Sequence, residues 1–253
     1  MNPSAAMAEA AGVRRGAAGE AKAMARTLAR AFHDDPVFTW VLHGDPKRAA
    51  MLERGFELFL RSVWLEHQET YTTSSVAGVA VWEPPDQWRL SVGRQLRLLP
   101  AMARIFARRL PRLLGAIMTL ERSHPSDPHY YLPFVGVEPR WQGRGLGAAL
   151  LAPILSRCDR ERVPAFLEAS TPRNRALYER HGFAVMEEFK LGRSAPPQWR
   201  MWRKPGTASG SGVWRRRLDR RGRASYPRSR VRALHQHGRG RRAQRPLSRA
   251  DPL

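Results

Sequence analysis

Residues 129–183 read, in order, as a buried strand, a glycine-rich loop, a helix, a second buried strand and a second helix. "HYYLPFVGVEP" is a compact run of aromatic and β-branched residues bounded by prolines. Leu146, Leu150, Leu151, Ile154 and Cys158 then recur at helical spacing, with Pro153 inside the helix and expected to kink it. "PAFLEAS" is the second strand. In "TPRNRALYERHGF", Thr171 is placed to cap the helix, Pro172 takes its first position and Gly182 lies past its end. "FAVMEEFK" and "QWRMWRK" close the series as strands, so the order predicts an α/β (α+β) fold.

Upstream, Ala21, Met24, Leu28 and Phe32 share one face of a helix over 19–33. "DDPV" ends it, since the residue before a proline avoids the helical region. Leu52, Phe56, Phe59, Leu60 and Val63 mark a second amphipathic helix over 47–67. "ETYTTSS" and "VAGVAVWEPP" read as two short strands joined at Ser74–Ser75, a hairpin. The stretch 88–122 is helical in pattern, broken by Pro100 and Pro111, and its polar face is almost all arginine. It reads as an amphipathic insertion packed on the domain, with a membrane-surface helix as the alternative.

Residues 1–18 are rich in Ala and Gly and are expected to be loose, with a short strand near Val13. From Gly206 onward neither helical nor strand period survives, so 206–253 reads as a disordered arginine-rich tail and the folded domain as 19–205. The net charge of +22 invites a nucleic-acid partner, but its distribution argues against a specific one. Residues 206–253 hold 14 of the 44 basic residues and 2 of the 22 acidic ones, without the interleaved aromatics of a nucleic-acid module. Lysine stands only at Lys22, Lys47, Lys190 and Lys204, an arginine skew that a GC-rich coding sequence produces without selection for a partner. No stretch reaches the ~18 apolar residues of a membrane span, and the first residues lack the apolar centre of a secretory signal. The single cysteine, Cys158, excludes an internal disulfide and a cysteine-based cluster, and no His stands at ligand spacing, so no metal is expected. A soluble, cytoplasmic protein with a real core is the expectation.

Gly143, Gly145 and Gly147 lie where the first strand gives way to its helix. A helix N-terminus carries unpaired N–H groups at the positive end of its dipole, and the absence of side chains lets an anion reach them. Such a loop suits a phosphate or pyrophosphate, with Arg140 and Arg144 adding charge; a turn made tight for packing is the other reading.

"VGVEPRWQGRGLGAALL" resembles the acetyl-CoA-binding motif of the GNAT superfamily of N-acetyltransferases, Gln/Arg-x-x-Gly-x-Gly/Ala, carried here by Gln142, Gly143, Arg144, Gly145, Leu146 and Gly147. The family's second block is matched by "FLEASTPRNRALYERHGF", with Asn174, Tyr178 and Gly182–Phe183. The likeness spans about residues 20–205, and tightly 129–205. "LARAFHDDP", "VAGVAVWEPP", "VPAFLEASTPRN" and "YERHGF" also have counterparts, in the same order, in the puromycin N-acetyltransferase type.

The resemblance implies a GNAT fold, with a central, mixed, mostly antiparallel twisted sheet flanked by helices on both faces. It implies direct acetyl transfer from acetyl-CoA to a small-molecule amine, with an antibiotic-type aminonucleoside among the candidates, by a monomer or homodimer. Backbone amides around Val135, Gly136 and Val137 would hold the pantetheine arm, the loop 142–147 the pyrophosphate, and Asn174 the arm again. Tyr178 would protonate the leaving thiolate, or be an ordinary core aromatic. Glu168 sits in an apolar strand, which is costly unless paired or functional, and reads as a base, an anchor for a cationic amine, or half of a salt bridge. His33, Asp34 and Asp35, where the first helix ends, are candidate acceptor contacts with helix capping as the other reading, and Tyr131, like Tyr130, either lines the acceptor pocket or belongs to the core. A catalytically silent domain that binds acetyl-CoA is the reading from a different class.

Overall fold

The computed structural model describes residues 3–206. The predicted tail therefore lies, apart from Gly206, outside the described residues. The elements in chain order are α1 (Pro3–Ala11), β1 (Arg14–Arg15), α2 (Ala21–Ala31), α3 (Pro36–Val41), α4 (Arg48–Ser62), β2 (Thr70–Thr72) and β3 (Gly78–Glu83). There follow α5 (Val92–Phe106), α6 (Leu110–Arg122), β4 (Tyr130–Val137), α7 (Leu146–Glu161), β5 (Ala165–Ala169), α8 (Pro172–Glu179), β6 (Ala184–Lys190) and β7 (Pro197–Arg203). Short 3-10 turns precede α2, follow α4, join α5 to α6 and lead out of β4.

The strands form one seven-stranded sheet in the order β1-β2-β3-β4-β5-β7-β6. Only β4 and β5 are parallel; every other pair is antiparallel, so the sheet is mixed as expected. Two apolar layers cover it. On one face, Met24 and Leu28 of α2, Leu52, Phe56 and Leu60 of α4, and Leu98, Met102 and Phe106 of α5 pack on Val79 and Val81. On the other, Leu150, Leu151, Ile154 and Cys158 of α7 pack on Ala80, Trp82, Leu132 and Leu167. The alternation of Val79, Val81 against Ala80, Trp82 is the period of two that lets β3 feed both layers.

Two local readings change and one between them stands. Residues 3–11 form a helix rather than a loose segment, because Ala6 has an apolar seat against Ala77 and Leu146. The strand expected near Val13 is the two-residue β1 beside β2. The arginine-rich insertion does not break at Pro100, which lies inside α5. The break comes at Ala107, whose φ of 45° ends the helix, and Pro111 sits in the first turn of α6 where a missing N–H costs nothing. Its arginines hold it to the domain: Arg94 pairs with Glu66, Arg108 and Arg109 reach Asp45, and Arg112 donates to the Trp40 carbonyl at 3.1 Å. Among the described residues no helix is long and apolar enough to cross a membrane.

Candidate active site

The centre of the sheet comes apart at a definable residue. β5 pairs with β4 through Tyr130, Tyr131 and Leu132, and the pairing stops there. Pro133 follows, a residue with no N–H to give to a ladder. On the β3 side the register runs Phe134↔Val81 and then Tyr131↔Glu83, so β4 carries one extra residue in a bulge at Leu132–Pro133. Beyond the bulge β4 keeps β3 as its partner, while its edge over Phe134, Val135, Gly136 and Val137 has lost β5. Gly136 owes its lack of a side chain to packing, since a Cβ there would meet the Ala31 Cβ at 2.8 Å.

This free edge runs directly into the glycine loop. Gly143 and Gly145 have φ of +74° and +85°, the left-handed region, and a Cβ on either would meet no atom within 4 Å. Gly145 is the N-cap of α7 and offers no side-chain acceptor, so the first amides of the helix stand uncapped before open space. That observation fits a bound pyrophosphate, whose oxygens would take those amides. Gly147 differs: it lies within the first turn of α7, and a Cβ there would touch Leu177 at an ordinary 3.6 Å. Gln142 tethers the loop instead of lining it, its side-chain N–H donating to the Val137 carbonyl at 3.1 Å. Arg144 lies 5.9 Å from the Trp141 ring centre, and Leu146 is buried beneath the loop.

Across the opening stands α8. Thr171 caps it, accepting from the Asn174 amide at 3.1 Å, and Tyr178 is buried on its inner face against Phe183. The Asn174 side chain reaches the Ser170 hydroxyl at 3.5 Å. Ser170 in turn donates to Asp35 at 2.5 Å, while the other Asp35 oxygen caps α3, accepting from Val37 at 2.9 Å and Phe38 at 3.2 Å. One carboxylate thus ties the turn after α2 to the end of β5. Burial holds the Tyr178 phenol well above its usual range, with the nearby Asp35 charge adding to it, so the hydroxyl stays protonated. Burial likewise raises the Asp35 carboxyl.

The third group lies on the α2–α4 face. Glu168 and Phe166 point the same way from β5, as the alternation predicted, and Tyr131 donates to Glu168 Oε2 at 2.9 Å. Oε1 of Glu168 is shut off from solvent with no hydrogen-bond partner. Burial pushes this carboxyl up to about 7, against hydrogen bonding from Tyr131 and the charge of Arg200. Glu83, opposite Tyr131 in the register, is pushed up to about 8 by burial, opposed by a 3.0 Å hydrogen bond from the Trp64 indole and raised further by the Glu168 charge. His33 and Asp34 do not join this group: His33 contacts Arg48 at 3.2 Å, and the Asp34 side chain is 89% exposed.

Sequence reasoning passed over Glu83, although the argument applied to Glu168, a carboxylate in an apolar strand, applies equally to "GVAVWE". It also passed over Ser170 and the pair His124–His129, whose Nε2 atoms lie 2.9 Å apart beneath Tyr131 and Phe166. His129 Nδ1 faces the Asp127 carbonyl at 2.6 Å and must donate, so its Nε2 accepts and His124 Nε2 donates. Burial pushes His124 down to about 2 and His129 to about 4, so both are neutral.

A pH dependence follows from Glu83. Its proton is held more tightly in the fold than in the unfolded chain, where the value is 4.5. The stability it contributes is complete below pH 4.5 and is lost as pH rises through about 8. Glu168 has the same sign; His124 and His129 have the opposite one, losing stability as pH falls below 6.5. Thermal midpoints of wild type and Glu83→Gln, measured by circular dichroism from about pH 5 to 9, are expected to diverge in favour of the variant as pH rises. A gap that does not change with pH would mean that Glu83 titrates as an ordinary carboxylate.

Residues 60–183 match the acetyltransferase (GNAT) family. An uncharacterized N-acetyltransferase of Schizosaccharomyces pombe is 31% identical over 209 residues, covering 74% of this chain and 81% of that protein. Among solved structures, a histone acetyltransferase HPA2 and related acetyltransferase from Corynebacterium glutamicum aligns with a TM-score of 0.59 at 24% identity, covering 78% of this chain and 98% of that one. The polyamine N-acetyltransferase of Drosophila melanogaster aligns with a TM-score of 0.55 at 15% identity, covering 76% and 98%.

Proposed function

From the fact that this chain belongs to the acetyltransferase (GNAT) family and is an N-acetyltransferase, we propose that it acetylates the primary amine of a small molecule by direct transfer at the opening between β4 and β5. The observation that carries the reading is the unpaired edge of β4 running into an uncapped helix N-terminus, with a protonated tyrosine opposite. Acetyl-CoA, the family's co-substrate, supplies a thioester as acyl donor when bound.

The chain's own groups divide the work. The amides of Gly145, Leu146 and Gly147 hold the pyrophosphate, and the free edge over Val135–Val137 orients the pantetheine arm. Asn174, fixed by Ser170, lines the arm from the α8 side. The Tyr178 hydroxyl holds the proton that a departing thiolate needs, and its buried position keeps that proton in place until then. Glu168 takes a proton from the acceptor nitrogen; a value near 7 suits a base working at neutral pH. Asp35 and Ser170 keep the acceptor-side turn docked on β5, and Tyr131 aims the Glu168 carboxyl.

The test is thiol release from acetyl-CoA by the full chain against a panel of primary amines. The panel includes puromycin, for the resemblance in sequence, and agmatine, whose acetylated form the Drosophila protein produces. Turnover with at least one amine is expected, together with acetyl-CoA binding by calorimetry. Absence of both would refute the reading.

A further inference from the structure

Glu83 has no part in the reaction as described, yet it is 5% exposed, and no Lys, Arg or His among the described residues lies at ion-pair distance from it or from Glu168. Arg200, the register partner of Glu168 on β7, is instead paired with Glu187. Trp64 and Tyr131 each give one of the two carboxyls a single hydrogen bond, to Glu83 Oε1 and Glu168 Oε2. Residues directly opposite in an antiparallel pair have Cβ atoms about 5 Å apart, so Tyr131 stands beside Glu83 while bonding Glu168. Of the two remaining oxygens, Glu168 Oε1 is buried and lacks any donor. Leaving a buried carboxylate oxygen unpaired is costly, and a donor brought by a ligand relieves it.

We infer that Glu83 and Glu168 form a single proton-sharing carboxyl pair across Tyr131 that receives the acceptor as a primary ammonium ion and removes its proton. The inference rests on the reading of the chain as an amine acetyltransferase, and it adds both a second acidic group and the charge of the substrate. Before the acceptor enters, the pair holds one proton and carries one negative charge. The ammonium places an N–H on Glu168 Oε1; the N–H bond breaks, its electron pair stays on nitrogen, and the proton moves to the carboxylate oxygen. A cation and a monoanionic pair become a neutral amine with its lone pair free and a neutral pair holding two protons. The burial that raises the proton affinity of both carboxyls also disfavours the ammonium, so the transfer runs in the direction that catalysis needs. Groups of this kind titrate as a pair, with Tyr131, the neutral His124 and His129, Arg200 and the Trp64 indole around them. The half-buried rings of Phe134, Phe32 and Phe38, on the same face, would take an apolar body behind the ammonium.

Two measurements on the full chain decide this. Carboxyl 13C titrations of glutamate-labelled protein are expected to show the Glu83 midpoint falling by about one unit when Glu168→Gln removes the neighbouring charge. An unchanged midpoint overturns the pair. Thiol release across pH 6 to 9, with 2-phenylethylamine and agmatine as probes, is expected to fall about tenfold in kcat/KM for Glu83→Gln at neutral pH. In that variant the pH profile should simplify to one ionisation, acetyl-CoA affinity should stay within about twofold, and the double variant should lose no more than Glu168→Gln alone. A Glu83→Gln protein with the wild-type rate and profile overturns the inference. Failure of the underlying reading is seen separately, as no thiol release by the wild type with any amine, and the carboxyl titration then decides the pair by itself.

Discussion

Tyr178→Phe is expected to lower kcat by about 10²- to 10³-fold while the calorimetric affinity for acetyl-CoA changes by no more than about twofold. The substitution removes one oxygen and keeps the ring that packs on Phe183 and fills the second apolar layer, so the fold has no reason to move. What is lost is a proton held at a fixed place. Because burial and the Asp35 charge hold the phenol protonated, the wild-type rate should not decline through ionisation of Tyr178 up to about pH 9. The deficit should persist in steady-state thiol release across that whole range. A phenylalanine variant with full turnover at alkaline pH would show that Tyr178 is only a core aromatic.

The second large effect is on binding. Gly143→Val and Gly145→Val place a β-branched side chain at φ of +74° and +85°. The left-handed conformation costs an L-residue about 1–2 kcal/mol at each site. Nothing in the protein obstructs a side chain there, since a Cβ at either position meets no atom within 4 Å. The steric conflict therefore falls on a ligand at the uncapped amides of α7, and the affinity for acetyl-CoA should drop about 10²-fold or more for Gly145→Val. The thermal midpoint should fall by only a few degrees, at about 2–4 °C per kcal/mol for a chain of this size. Unchanged calorimetric affinity in both variants would remove the pyrophosphate from this loop. Gly147→Ala serves as a contrast, because its Cβ contact with Leu177 is ordinary and its backbone is helical.

Much of the fold was legible because its signals are local. Thr171, Pro172 and Gly182 bracket α8 as their capping chemistry demands. The two-residue alternation in "AFLEAS" placed Glu168 on the face where it is found. The errors arise where a distant surface overrides a local rule. Ala6 finds a seat on Leu146 and Ala77, and an Ala-rich segment expected to be loose becomes a helix. Pro100 stays inside α5 because Leu98, Met102 and Phe106 are buried around it, and burial of that stripe outweighs one lost backbone hydrogen bond.

The candidate site divides along the same line. Short-range pattern sufficed to place the glycine loop, the helix it opens and the helix that carries Tyr178, because each depends on residues within one or two turns of its neighbours in sequence; the role proposed for Tyr178 comes with the family resemblance, since pattern alone reads it as a core aromatic. The sequence alone also showed Glu168 to be an expensive residue where it stands. Only the tertiary structure decided which carboxyl would be its companion, since Glu83 comes beside Tyr131 through a register that a bulge at Leu132–Pro133 displaces by one residue. It alone separated Asp35, bound to Ser170, from Asp34, which faces water one residue earlier. And it alone placed the break between β4 and β5 after Leu132, because a strand's missing partner is a property of two chain segments more than thirty residues apart, set by pairing and packing that no local pattern records.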